Sequence, residues 1–275
     1  MDTHTRTTQR DIIEALDVSP RIDGEQEVER RIDFLASYLR DNGLKALVLG
    51  ISGGVDSTIG GRLSQLAVER ARAAGADARF YAVRLPHGEQ DDADDAQTAI
   101  DFIRPDEVLD VNIEAPTRGM RQALENSELN FDDAHQEDFV LGNVKARQRM
   151  VVQYAIASRH QGLVVGTDQA AEAVMGFFTK FGDGAADVTP LFGLNKRQVR
   201  ALGEILAAPN ALVHKQPTAD LESLQPQRPD EEVFGVSYDE IDTFLEGGDV
   251  SEQAFRTIVE AYEATAHKRA LPAAP

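Results

Sequence analysis

Residues 50–57 read Gly-Ile-Ser-Gly-Gly-Val-Asp-Ser, set between the apolar run Ala46-Leu47-Val48-Leu49 and a stretch of helical character beginning near Ser57. Ser52, Gly53 and Gly54 let the main chain approach a ligand without Cβ clashes. Their N–H groups then face an anion, and the helix start adds its positive end. An ordinary phosphate-binding loop carries a lysine at this place; this turn carries Asp56 instead. A carboxylate beside phosphate is repulsive unless a cation stands between them. Mg²⁺ bridges carboxylate and phosphate oxygens, so the turn implies a polyphosphate held together with a metal. A bare Ser-Gly-Gly would be a tight turn with Asp56 as a helix cap. Strand, Ser-Gly-Gly-x-Asp-Ser and helix in succession point to phosphate chemistry.

A second group of reactive types lies between residues 164 and 200. Thr167 and Asp168 end the apolar run "GLVVGT", at the strand end where open α/β sheets bind ligands. Glu172 follows on a helical turn and can supply a second carboxylate to the metal, although a lone Glu there is more often a solvated helix residue. Lys180, Asp183 and Asp187 fall in a glycine-rich stretch that also reads as a flexible acidic surface loop. Lys196 and Arg197 open a helix, where cations oppose the helix dipole, so an anion is expected opposite them. Arg147 on a long helix and the run "AHKRAL" at 266–271 are equally compatible with solvated surface.

The elements that must position these residues are legible from periodicity. Val28, Ile32, Leu35 and Leu39 form one helical face, ended by Asn42-Gly43. Strands follow at 46–51, 79–85, 107–113 and 162–167. Helices are expected at about 57–74, from the acidic start at 90–97, at about 142–160 and at 195–209. Strands apolar on both faces and separated by helix-length spacers predict a doubly wound parallel α/β sheet with flanking helices. Residues 176–195 are too long and irregular for a simple connector. The expected organisation is one domain over 1–275, with 1–25 loosely ordered and 210–275 a helical extension of the same domain.

Composition narrows the function further. The chain has 275 residues and a formal net charge of −19. It shows no basic stripe of the kind a nucleic-acid binder needs, and an anionic ligand must meet local cations or a metal. Of 28 basic residues only six are Lys, at 45, 145, 180, 196, 215 and 268. Cysteine is absent, which removes disulfides, thiolate metal sites and thiol nucleophiles. No apolar run approaches a bilayer span and the N-terminus lacks a secretory core, so a cytoplasmic location is expected.

"SGGVDS" resembles the loop of enzymes that cleave ATP between the α- and β-phosphates, among them synthetases for NAD, GMP, asparagine and modified tRNA. "VVGTDQAAEAVMGFFTKFGDGAADVTPLFGLNKRQVR", "GNVKARQRM", "PTADL" and "HKR" resemble the ammonia-dependent NAD synthetases, in the family's order and over nearly the whole chain from about residue 20. The resemblance implies a Rossmann-like fold of the adenine nucleotide alpha hydrolase kind, a homodimer, and conversion of deamido-NAD to NAD through an acyl-adenylate. It implies that Gly50, Ile51, Ser52, Gly53, Gly54, Val55, Asp56 and Ser57 hold ATP, with Arg84, Thr167, Lys196 and Thr218 also touching it. Asp56 and Glu172 would bind Mg²⁺, and Lys196 would neutralise the transferring phosphate. Arg147, Lys180, Asp187, His267 and Lys268 would bind deamido-NAD, some of them in the partner's site, and Asp183 would deprotonate or orient ammonia. Gln169, Met175 and Ala185 depart from the family's usual His, Thr and second Gly. Glutamine-dependent relatives use a cysteine nucleophile, so this chain is expected to take free ammonia, or to receive it from a separate protein, and to carry no glutaminase domain. Other adenylating enzymes of the loop family, and a nucleotide sensor without turnover, are the competing readings.

Overall fold

Leu47 and Leu49 of strand β1 (Ala46–Gly50) point to one side of a sheet, and Ala46 and Val48 to the other; all four are buried. An apolar strand of this kind requires cover on both faces, and the chain supplies it. The structure, a computed structural model, describes residues 3–88, 93–219 and 221–274. After helix α2 (Gly24–Asp41) and β1, helix α3 (Val55–Ala73) leads to β2 (Arg79–Arg84). Helix α4 (Ala93–Ile103), β3 (Glu107–Asp110), α5 (Glu114–Asn126), α6 (Ala134–His160) and β4 (Gly162–Val164) complete the layer. All pairings are parallel, in the order β3-β2-β1-β4, with Val48 level with Tyr81 and Val164. One face is covered by α2, α3 and α4 against Leu47, Leu49, Phe80 and Ala82. The other is covered by α6, with Ala157 against Val48 and Val164. This is the expected doubly wound sheet.

The chain runs outward from β1 to β2 and β3, then returns to the other side of β1 for β4. The C-terminal ends of β1 and β4 therefore part, and a crevice opens between them, as at the switch point of other open α/β sheets. Helix α6 begins at Ala134 rather than near Gly142, because Asp133 caps it by accepting a hydrogen bond from Gln136 N at 2.8 Å. The acidic start expected at 90–97 is helical from Ala93; residues 90–92 lie outside the described residues.

The rest of the chain forms a helical layer: α7 (Ala170–Met175), α8 (Lys196–Ile205), α9 (Asn210–Val213), α10 (Asp230–Phe234), α11 (Tyr238–Leu245), α12 (Glu252–Ala264) and α13 (Ala266–Arg269). A two-residue pair, β5 (Thr218–Ala219) with β6 (Arg228–Pro229), lies between α9 and α10. Residues Thr3–Ala15 form helix α1, whose Ile12, with Leu16 and Val18 beyond it, is buried against α7, α10, α11 and α12. Gln9 Nε2 donates to Phe244 O at 2.9 Å and to Gly248 O at 3.0 Å. The N-terminal helix and the C-terminal helices thus close one apolar cluster that neither end can bury alone.

Candidate active site

A cavity of about 490 Å³ opens at the C-terminal ends of β1 and β4, a size typical of small-molecule sites. Its floor is the turn between β1 and α3. Gly53 takes φ +83°, and a Cβ there would sit 2.7 Å from Ala96 N, so the turn closes against α4 only with glycine. Gly54 caps α3 from an extended conformation. Ser52 and Ser57 hydroxyls lie 3.1 Å apart, and Ser57 Oγ donates to Gly54 O at 3.1 Å, which fixes the turn's shape. Gly50 N, at the end of β1, donates to Gln153 Oε1 of α6 at 2.8 Å.

Opposite the turn, Lys196 is almost wholly buried although its side chain carries a charge. Its Nζ lies 2.6 Å from Asp56 Oδ2 and 3.4 Å from Glu172 Oε1, and 4.8 Å from the centre of the Tyr238 ring. Burial draws the ammonium's pKa down, but Asp56 and Glu172 outweigh it and the net shift is upward, so Lys196 is charged at neutral pH. Burial and the facing Asp56, Asp168 and Asp230 carboxylates push Glu172 up, against the pull of Lys196. Burial, Asp183 and Asp56 push Asp168 up to about 7. The anion expected opposite the start of α8 is present: Asp242 of α11 accepts from Lys196 N at 3.1 Å and Arg197 N at 2.7 Å.

Two carboxylates thus converge on one cation, and the second oxygen of Asp56 is buried without a hydrogen-bond partner. That donor set suits a divalent ion that takes one or two carboxylates and completes its shell with phosphate oxygens and water. Among the described residues no group of three or more His, Cys, Asp or Glu is arranged to hold a metal by itself.

Of the residues singled out from sequence, Gly50, Ile51, Ser52, Gly54, Val55, Asp56, Ser57, Thr167, Glu172, Asp183, Lys196, Thr218 and Lys268 line this one cavity. Asp183 Oδ1 accepts from Thr179 N at 3.0 Å, and Lys268 Nζ donates to Gly176 O and Phe178 O at 2.9 Å each. Gly53, within the turn, packs against Asp95 and Ala96 and does not line the cavity. Arg84 is turned aside, its Nη2 donating to Gln97 Oε1 at 2.9 Å and its Nε 3.2 Å from Asp110. Arg147 is exposed, with Nη2 3.3 Å from Lys180 O. Lys180 donates to His267 O. Asp187 accepts from Val164 N at 2.7 Å, which holds the edge of β4. None of these last five side chains lines the cavity. Asp220 of the 217–221 segment lies outside the described residues.

Gln153, Arg149 and Asp230 also line the cavity, and Tyr238 and Asp242 lie behind it, although their types and spacing in the sequence do not single them out. Gln153 and Arg149 sit on a helix whose exposed and inward faces differ little in composition. Asp242 lies in "SYDEIDTFL", where one acidic residue at an apolar-periodic position was the available signal. Gln169, found where histidine was expected, caps α7 by accepting from Ala171 N at 2.7 Å.

The family model for NAD synthase matches residues 27–272. An NH(3)-dependent NAD(+) synthetase from Streptomyces coelicolor is 62% identical over 97% of this chain and 97% of its own length. The crystal structure of NAD+ synthetase from Burkholderia pseudomallei superposes with a TM-score of 0.85 at 54% identity, covering 98% of each chain. The structure of NMN synthetase from Francisella tularensis superposes with a TM-score of 0.80 at 32% identity, over 93% of this chain and 99% of that one. Together with the strand-end turn and its buried Asp56–Lys196–Glu172 cluster, these likenesses establish that the chain belongs to the NAD synthase family.

Proposed function

We propose that this chain is an ammonia-dependent NAD synthetase, an AMP-forming ligase that amidates deamido-NAD at the expense of ATP. The single observation that carries the reading is the Ser-Gly-Gly-x-Asp-Ser turn facing the buried Asp56–Lys196–Glu172 cluster, at the β1/β4 mouth of a chain 62% identical to such an enzyme. An oxygen of the nicotinate carboxylate attacks the α-phosphorus of ATP, and the bond to the bridging oxygen of pyrophosphate breaks. The acyl-adenylate is then attacked at its carbonyl carbon by ammonia. The C–O bond to AMP breaks, a proton leaves the nitrogen, and the amide remains. The protein's work is positioning and charge neutralisation.

The turn's N–H groups and the start of α3 receive the pyrophosphate. Lys196 meets negative charge on the transferring phosphate, Thr167 and Thr218 bracket the nucleotide, and Lys268 faces the dinucleotide. Asp183, which also lines the cavity, orients the incoming nitrogen. Asp56 and Glu172 are the residues that would hold Mg²⁺, which supplies charge neutralisation of the triphosphate when bound. The chain has no cysteine to serve as a glutaminase nucleophile, consistent with free ammonia as nitrogen donor.

We infer that the enzyme works as a homodimer through α5 and α6. Met120, Leu129, Phe139 and Val151 on or between these helices are exposed, at 43–61%, and α6 buries only Gly142, Lys145, Ala146 and Ala157 along its length. Arg147, Lys180 and His267 would then serve a second chain's dinucleotide, a reading supported by their lying outside this chain's cavity. No described helix is long and apolar enough to cross a membrane, in keeping with action in the cytoplasm.

The test is a turnover assay with deamido-NAD, ATP and Mg²⁺ that follows NAD, AMP and pyrophosphate, comparing ammonium with glutamine. NAD formed from ammonium, equimolar with AMP and pyrophosphate, is the expected result. A parallel reaction with nicotinic acid mononucleotide addresses the Francisella likeness; preference for the mononucleotide would overturn the substrate assignment.

A further inference from the structure

Lys196 is carried by the first residue of α8, where its backbone is no better held than any helix start unless something grips it. Asn195 supplies the ordinary capping box with Gln198. Beyond that cap, Asp242 Oδ1 and Oδ2 accept from the N–H groups of Lys196 and Arg197, at 3.1 and 2.7 Å. Asp242 is 2% exposed and comes from another helix, so this grip is a tertiary contact and not a local cap. The same helix begins with Tyr238, whose ring lies under the Lys196 ammonium at 4.8 Å. Tyr238 is itself fixed by donating its hydroxyl to Asp230 Oδ2 at 2.9 Å. Arg197 adds a clamp on the outer side, with Glu246 at 2.8 Å and Asp239 at 2.5 Å. One helix therefore holds the lysine at its backbone and along its ammonium, while Asp56 and Glu172 hold it from the opposite side.

We propose that Asp242 and Tyr238 of α11 are positioning residues for Lys196, so that the helical layer remote from the nucleotide loop sets the geometry of phosphoryl transfer. The proposal rests on the reading of Lys196 as the cation that meets the transferring phosphate. Asp242 fixes where the lysine's Cα stands, and a bidentate carboxylate resists rotation about either bond alone. Tyr238 presents its π face to the ammonium, which favours one orientation of a side chain that otherwise has many rotamers. Neither residue reaches the cavity, and neither needs to touch substrate.

The experiment uses the full-length protein and reads Lys196 directly. Asp242→Asn and Tyr238→Leu are compared with wild type by acylation with N-hydroxysuccinimidyl acetate, following Lys196 and Lys145 by peptide mass spectrometry, and by steady-state kinetics. Lys145 is the internal reference: it is buried on α6, donating to Leu221 O and Ser223 Oγ at 2.8 Å each, away from α11. The expected result is labelling of Lys196 about fivefold faster in both variants, as local release of one side chain gives, with Lys145 unchanged. The accompanying kinetic result is kcat lower by about tenfold or more with KM for ATP within about twofold, the mark of an interaction used in the transition state. Tyr238→Phe, which keeps the ring, is expected to change both readouts less than Tyr238→Leu. Unchanged Lys196 labelling, or a parallel rise at Lys145, overturns the proposal. Where Asp242→Asn does not fold, Tyr238→Leu decides it. Labelling requires no substrate, so failure of the wild type to make NAD would refute the functional reading and leave the positioning result to stand or fall separately.

Discussion

Replacing Lys196 by Met keeps most of the side-chain volume and removes the charge, which separates packing from electrostatics. With Nζ at 2.6 and 3.4 Å from Asp56 and Glu172, the gross attractions are about 6 and 5 kcal/mol at an effective dielectric constant near 20. Desolvation of three buried groups offsets much of that, and removal of one partner from a buried ion pair costs about 3–5 kcal/mol net. Spread over a chain of this size, each kcal/mol lowers Tm by about 2–4 °C, so the variant should melt roughly 6–20 °C below wild type. Part of the loss should return as pH falls. Glu172, already pushed upward, then takes up a proton and ceases to repel Asp56. Added Mg²⁺ should stabilise the variant more than wild type, since the two carboxylates no longer have an ammonium between them. Turnover should fall by about 10²–10³, the scale for losing a preorganised charge at a transition state. Differential scanning fluorimetry at several pH values, with and without Mg²⁺, and the NAD assay read these effects together. A variant melting within about 2 °C of wild type and turning over within about threefold would refute the account of the cluster, because a buried pair of that geometry cannot lose its cation at no cost.

Further outcomes follow from other parts of the molecule. Asp168, held up to about 7 against an ordinary 3.8, binds more protons folded than unfolded, so it costs stability as pH rises from about 4 through 7. Asp168→Asn should therefore raise Tm more at pH 8 than at pH 5, by a difference worth at most about 3 kcal/mol; equal gains at both pH values would count against it. Gly53→Ala, at φ +83° with its Cβ 2.7 Å from Ala96 N, should cost about 2 kcal/mol or more in stability and weaken ATP binding, measured by calorimetry. Val151→Lys, on the exposed face of α6, should convert a dimer to a monomer in light scattering, and a dimer that persists would move the interface elsewhere.

The core of the nucleotide site was legible because its parts are local. The Ser52–Ser57 turn needs only a strand before it, a helix after it and glycine at a positive φ, all of which lie within a few neighbouring residues. The parallel sheet was legible from runs such as Ala46–Leu49 that are apolar on both faces. The N-terminal helix was not. Ile12 and Leu16 become stable against α7, α11 and α12, and short helices gain most of their stability from such packing rather than from their own sequence.

What the sequence determined by itself was the turn, the doubly wound sheet and the absence of a thiol nucleophile; the pairing of Asp56 with Glu172 came only from the family resemblance. What only the tertiary structure decided was which cations stand in the cavity. Arg84, Arg147 and Lys180 were candidates through the family resemblance, and in this chain they meet Asp110, Lys180 O and His267 O outside the cavity. Arg149, Lys215 and Arg228 line the cavity beside Lys196 and Lys268 instead. A long cationic side chain reaches several ångströms in any direction, so its partner is set by the elements that surround it. Lys196 is the clearest case: its charge and place at the start of α8 are written in the sequence. Its grip between Asp242, Tyr238, Asp56 and Glu172 exists only because four elements distant along the chain meet around one ammonium that cannot be buried without them.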